Sequence, residues 1–84
     1  MRRCVVSIVS NIAEGFSRKS FREKVQFYSM ALGSSTEIQS QLLVSRDLKF
    51  ISEQEFNKVA ELSIEVNKLL NGLIKKTKSN ILDS

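Results

Sequence analysis

Residues 10–24 read SNIAEGFSRKSFREK, and the fold turns on how this stretch is divided. Gly15 closes an apolar-periodic segment, because glycine takes the left-handed cap conformation without a Cβ clash. Ser20 opens another: Ser20-Phe21-Arg22-Glu23 has capping-box spacing, in which the serine side chain accepts from the Glu23 amide and the glutamate reaches back. One helix therefore stops and the next begins within a few residues. So short a connection makes the two antiparallel neighbours.

Upstream, Val5, Ile8, Val9, Ile12, Ala13 and Phe16 recur at helical spacing and predict a first helix over about residues 2–15 with that stripe facing the core. Ser7, Asn11 and Glu14 take its other side. Downstream, Phe21, Val25, Tyr28, Ala31, Leu32, Ser35, Ile38, Leu42 and Leu43 form the inner face of a second helix over about residues 21–48. Gly33 within it costs about 1 kcal/mol relative to alanine, yet the apolar period crosses the region without a phase jump. Gly33, Ser34 and Ser35 are read as small residues that let a neighbour approach. A further capping box, Ser52 with Glu55, and a hydrophobic staple, Ile51 with Phe56, start a third helix over about residues 53–78. Phe56, Val59, Ala60, Ser63, Val66, Asn67, Leu70, Leu73 and Ile74 line its core face, and residues 79–84 are expected to fray. The reading is one all-α domain over 1–84, an antiparallel up-down helical bundle.

The helices differ in length. At 1.5 Å per residue the first is about 20 Å long and the others about 40 Å each. The first can cover only the half of the hairpin near the connection at 16–20. The remaining seam, around Ile38, Leu42, Phe56 and Val59, is expected to lack a lid and to take a partner or another copy of the chain.

Composition narrows the chemistry. There is no histidine, which removes the commonest general base and metal ligand. Cys4 is the only cysteine, so no intrachain disulfide forms, and without a histidine to activate it an inert thiol on a helix face is expected. Glu61 and Glu65 lie four residues apart on an outer face, too few ligands for a metal. No catalytic, cofactor-binding or metal-binding residue is assigned, and the chain is read as not an enzyme. No apolar run reaches the ~20 residues of a membrane span, and a cytoplasmic location is expected.

The stretch RRCVVSIVSNIAEGFSRKS (2–20), followed by FYSMALGSSTEIQSQLLVSRDLKFIS (27–52) and LLNGLIKK (69–76), resembles the four-helix-bundle proteins encoded in intervening sequences of 23S ribosomal RNA genes. The resemblance runs from Arg2 to about Lys76, and residues 10–15 with Gly33-Ser34 are its most specific pieces. It implies three helices of a four-helix-bundle family, with the family's first helix missing from this chain. It also implies a homo-oligomer, a pentamer, and relatives that include an accessory protein of diversity-generating retroelements. Val9 stands where the family often has proline, which implies a straighter first helix here.

The net charge of +4 understates how unevenly the cations fall. The up-down topology places the 16–20 connection and the end of the third helix at one pole. That pole gathers Arg18, Lys19, Arg22, Lys24, Lys75, Lys76 and Lys78 against Glu14 and Glu23. Clustered cations neutralise phosphates in a sequence-independent, salt-dependent way. With Tyr28 and most phenylalanines on core faces, stacking on bases is not expected. Arg18, Lys19, Arg22, Lys75, Lys76 and Lys78 are therefore the candidate contacts to structured RNA or other nucleic acid. The competing reading is a solvated cap of lysines matched to a helix dipole, with the apolar seam docking partner helices and no nucleic-acid role.

Overall fold

The computed structural model describes residues 2–83, with side chains described through Ile81. They form α1 (Arg2–Ser17), α2 (Phe21–Asp47) and α3 (Glu53–Asp83), and among the described residues there is no strand. The all-α reading holds. Gly33 does not interrupt α2, as its unbroken apolar period requires.

The helices alternate in direction. Cys4, Ser7 and Gly15 of α1 lie against Ile38, Ser34 and Tyr28 of α2 in descending order. Ser35 of α2 meets Asn67 of α3, and Leu42 lies in the cluster against which Phe56 packs. α1 packs on α2 and α2 on α3, but no backbone approach joins α1 to α3. The rod is 50 Å long and only 19 × 14 Å across. In section it is a V with α2 at the vertex.

Gly15 is not the stop that the sequence suggests. α1 runs through it to Ser17, and no glycine has a positive φ. Gly15 is buried because Tyr28 lies over it: a Cβ there would come within 2.9 Å of Tyr28 Cδ1 and closer still to Cε1. Its missing side chain makes room for a ring rather than for a turn. The end of α1 is held by other groups. Ser17 Oγ donates to Glu14 O at 2.8 Å, and Lys24 Nζ donates to the carbonyls of Gly15 and Phe16 at 2.9 and 3.0 Å. An ammonium on the last carbonyls satisfies them and complements the dipole.

Seating Gly15 under Tyr28 rotates α1 away from its expected orientation. Cys4, Ser7, Asn11 and Gly15, spaced by three and four, share the side that meets α2. The hydroxyls of Ser7 and Ser34 are 2.8 Å apart, and Asn11 Nδ2 donates to Ser7 O and Oγ at 2.8 and 3.1 Å. Small and polar groups satisfied in this way can be half-buried at little cost. The predicted core stripe is correspondingly turned outward: Val5, Val9 and Phe16 are 50%, 63% and 60% exposed, although Ile8 and Ile12 stay half-buried. On α2, Tyr28, Ala31, Ser35, Ile38 and Leu42 are buried as expected, whereas Phe21 and Leu43 are exposed. Gly33 opens to empty space, so the close approach in this region belongs to Ser34 and Ser35 alone.

Two helix ends follow their sequence signals. Glu55 N–H donates to Ser52 Oγ at 3.0 Å and Ser52 N–H donates to Glu55 Oε1 at 3.1 Å, a complete capping box, with Ile51 and Phe56 packed on the core beside it. Ser20 Oγ accepts from Glu23 N at 3.4 Å. Two ends do not. α3 continues past Lys78 to Asp83, with Thr77 buried, its hydroxyl donating to Leu73 O, and Ile81 half-buried. α2 ends in a Schellman motif: Lys49 N–H reaches Arg46 O at 3.0 Å and Phe50 N–H reaches Ser45 O at 2.8 Å. Its left-handed residue is Lys49, with φ of 61°, where a glycine would carry no Cβ penalty.

The glycines make opposite predictions. Gly15→Ala should destabilise the fold by about 1–3 kcal/mol through overpacking against Tyr28. Gly33→Ala should stabilise it by up to about 1 kcal/mol, since helix propensity is the only term that changes. Thermal or urea unfolding of the two variants reads both signs. The capping box adds a pH dependence. The hydrogen bonds from the Ser52 backbone and side chain hold the Glu55 carboxyl below its ordinary pKa. Because the folded-state value is the lower one, the contribution is complete above the ordinary glutamate range and is lost as pH falls through the folded value. Glu55→Gln should remove this acid-limb slope in unfolding curves taken between about pH 6 and pH 3.

Candidate interaction surfaces

The six cations singled out from the sequence do not stand alike. Arg18 is engaged within the chain: its Nη2 donates to Glu14 Oε2 at 3.0 Å and its guanidinium lies 5.0 Å from the Phe27 ring centroid. Arg22 and Lys78, from the first turn of α2 and the last turns of α3, line one shallow hollow of about 450 Å³ with Val25, Gln26 and Ile81. Lys19 is exposed in the connection at 18–20, and Lys75 and Lys76 are exposed on α3. Among the described residues, Lys19, Arg22, Lys75, Lys76 and Lys78 form no ion pair. Lys24, counted with the pole by charge, is spent on capping α1. The fold thus brings Arg22 and Lys78 together and leaves Lys19, Lys75 and Lys76 as free charges around them.

The second surface is apolar. Between the arms of the V lies a groove of about 420 Å³. Val5, Ile8 and Val9 form its α1 wall, and Val59, Leu62, Ser63 and Val66 form its α3 wall. Ser35 and Ile38 of α2 are its floor, and no charged residue lines it. Ser63 Oγ is buried there and has no hydrogen-bond partner among the described residues.

The seam inferred from helix lengths meets this groove only in part. Ile38 is on its floor and Val59 on its wall. Leu42 is 1% exposed and sealed in the core by Cys4, with Ile8 and Phe56 packed on the same cluster. α1 therefore reaches the Leu42 level, and the bundle opens along its side rather than at its far end. Helix lengths alone do not mark Val5, Val9, Leu62 or Val66. For Val5 and Val9 the signal is the width of the apolar arc on α1, where Val5-Val6, Ile8-Val9 and Ile12-Ala13 are adjacent pairs that exceed what one neighbouring helix can cover.

Among the described residues no three His, Cys, Asp or Glu side chains gather as a metal site. Cys4 is buried, its Sγ 3.9 Å from Gln41 Oε1. Burial raises the pKa of Tyr28, which keeps its ring a neutral core group. No helix among the described residues is long and apolar enough to cross a membrane.

Neither the curated proteins nor the solved structures compared with the chain include a match. The family model described as 23S rRNA-intervening sequence protein matches residues 1–72. That span takes in α1, α2 and the part of α3 that walls the groove, and it stops short of the cations at the end of α3. The chain belongs to the family of 23S rRNA-intervening sequence proteins.

Proposed function

We propose that this protein is a non-catalytic, cytoplasmic nucleic-acid-associated protein that holds the phosphate backbone of structured RNA, or of another nucleic acid, at its basic pole. The observation that carries this reading is the hollow shared by Arg22 and Lys78, with Lys19, Lys75 and Lys76 exposed and without ion pairs around it. Cations set on two antiparallel helix ends are held at a fixed spacing, which suits repeated phosphates better than a single anion. Assembly of several copies would repeat the pole and multiply the contacts. Contrary to the expectation that most phenylalanines face the core, Phe16, Phe21 and Phe50 are exposed, two of them beside the pole. Base reading is still not part of the proposal, because Tyr28 is in the core, Phe27 lies under Arg18, and stacking on an exposed ring is sequence-tolerant.

A second reading is favoured by the groove: a docking surface for an apolar helix, with no nucleic-acid role. The two readings part in a salt titration. Binding to duplex and hairpin ribosomal RNA fragments should fall steeply between about 50 and 200 mM salt. Replacing Lys19, Arg22 and Lys78 together with alanine should weaken it at least about tenfold at the lower salt and flatten the log–log slope by about two to three. Arg18→Ala should do less, because its guanidinium is already paired, and Arg46→Ala at the opposite pole should do nothing. Absence of binding at low salt, or binding indifferent to the triple substitution, overturns the first reading.

A further inference from the structure

We infer that the basic pole takes unpaired nucleotides of a folded nucleic acid, with a base stacked on the ring of Phe21 and the adjoining phosphate held by Arg22 and Lys78. The inference rests on the pole reading above and names the class of site that it recognises: loops, bulges and single-stranded ends rather than continuous duplex.

Continuity of the surface comes first. Beside the hollow of Arg22 and Lys78 lies a smaller one of about 190 Å³, lined by Ser20, Phe21, Arg22 and Ile81. The two share Arg22 and Ile81, so they adjoin, and their outer ends differ in chemistry. One end offers cations from two helices, and the other offers an aromatic ring. A nucleotide is divided in the same way, with an anionic phosphate at one end and a flat π-faced base at the other.

Reach comes second. Phe21 and Arg22 rise from neighbouring Cα atoms about 3.8 Å apart, and their side chains diverge by about 100° around α2. A ring and a guanidinium set in this way can hold the base and the phosphate of one nucleotide with no change in the helix backbone. Availability is the third observation. Phe21 is 40% exposed at the first position of α2. The other rings near this pole are committed elsewhere. Phe27 lies under the Arg18 guanidinium, and Phe16 packs edge-on to Tyr28 and lines neither hollow.

The ring is what separates paired from unpaired nucleic acid. Cations alone do not discriminate, because both forms carry repeated phosphates. A base inside a duplex has both faces covered by its neighbours, so Phe21 gains nothing from it. An unpaired base offers a free face, and an aromatic side chain accepts that face whatever the base.

Three labelled RNA probes of equal phosphate count test the inference: a hairpin, the same hairpin with an abasic loop, and a blunt duplex. At about 50 mM salt the intact hairpin should bind at least about fivefold more tightly than either of the others. Phe21→Ala should erase that preference, leave duplex affinity unchanged and retain helical circular dichroism, and Phe21→Trp should keep the preference. Phe50→Ala, which removes a 76% exposed ring in the α2–α3 connection at the opposite pole, should alter nothing. The abasic comparison is made on the unaltered protein, so it stands whatever Phe21→Ala does to stability. Equal affinity for the three probes, a hairpin preference that survives Phe21→Ala, or one lost equally in Phe50→Ala overturns the inference. In those cases the pole reading still stands if binding weakens with salt and with the joint substitution of Lys19, Arg22 and Lys78. Absence of binding to all three probes removes both.

Discussion

The contact between Gly15 and the ring of Tyr28 sets the rotation of α1, and much of what distinguishes this molecule follows from that rotation. An aromatic ring buried on α2 needs a flat, side-chain-free seat on the helix across from it, and Gly15 supplies one. Once that point is fixed, helical spacing brings Asn11, Ser7 and Cys4 round to the same side. The interface is then lined by small and polar groups, and it holds because each polar group has a partner: the Ser7–Ser34 hydroxyl pair, Asn11 on Ser7, and on the other side Ser35 on Asn67. Phe16 completes the arrangement edge-on to Tyr28 with centroids 5.9 Å apart. The consequence is an apolar stripe on α1 that points past α2 into the V.

Much of the architecture is legible in the residues. Three helices, their order, and starts at or within a residue of those predicted follow from apolar periodicity and from the serines at 20 and 52, since capping is local chemistry. The direction of each helix follows from connection length. What stays hidden is whatever depends on a contact between distant residues. Gly15 reads as a stop because glycine usually is one beside a polar connection, and only the position of Tyr28 shows that it is a seat. The real left-handed cap is Lys49, a residue with no such signal, accepted because Schellman hydrogen bonds offset its backbone strain. The facing of α1 is hidden for the same reason. The spacing of its valines and isoleucines marks an apolar stripe but does not say which neighbour that stripe meets, or that none is there.

The candidate surfaces divide along the same line. A pole rich in cations is a matter of topology and counting, and Arg22 with Lys78 meets that expectation. Which charges are free is a matter of local contacts. Lys24 proves to be a helix cap and Arg18 to be paired and stacked, so the pole is narrower than its composition suggests. The groove, expected at the far end of the hairpin, lies instead along its side, because α1 extends to the Leu42 level and rotates its valines away from the core. In this family member the basic pole and the apolar groove occupy separate parts of one rod.

The most direct test of this account is the nuclear Overhauser pattern around Tyr28 in solution. A strong contact between the Tyr28 ring protons and the Gly15 α-protons, with those α-protons shifted upfield by the ring, is the predicted result. Strong contacts from the Tyr28 ring to the methyls of Val9 or Ile12, with none to Gly15, would mean that α1 presents its apolar stripe to α2, and the groove would not exist.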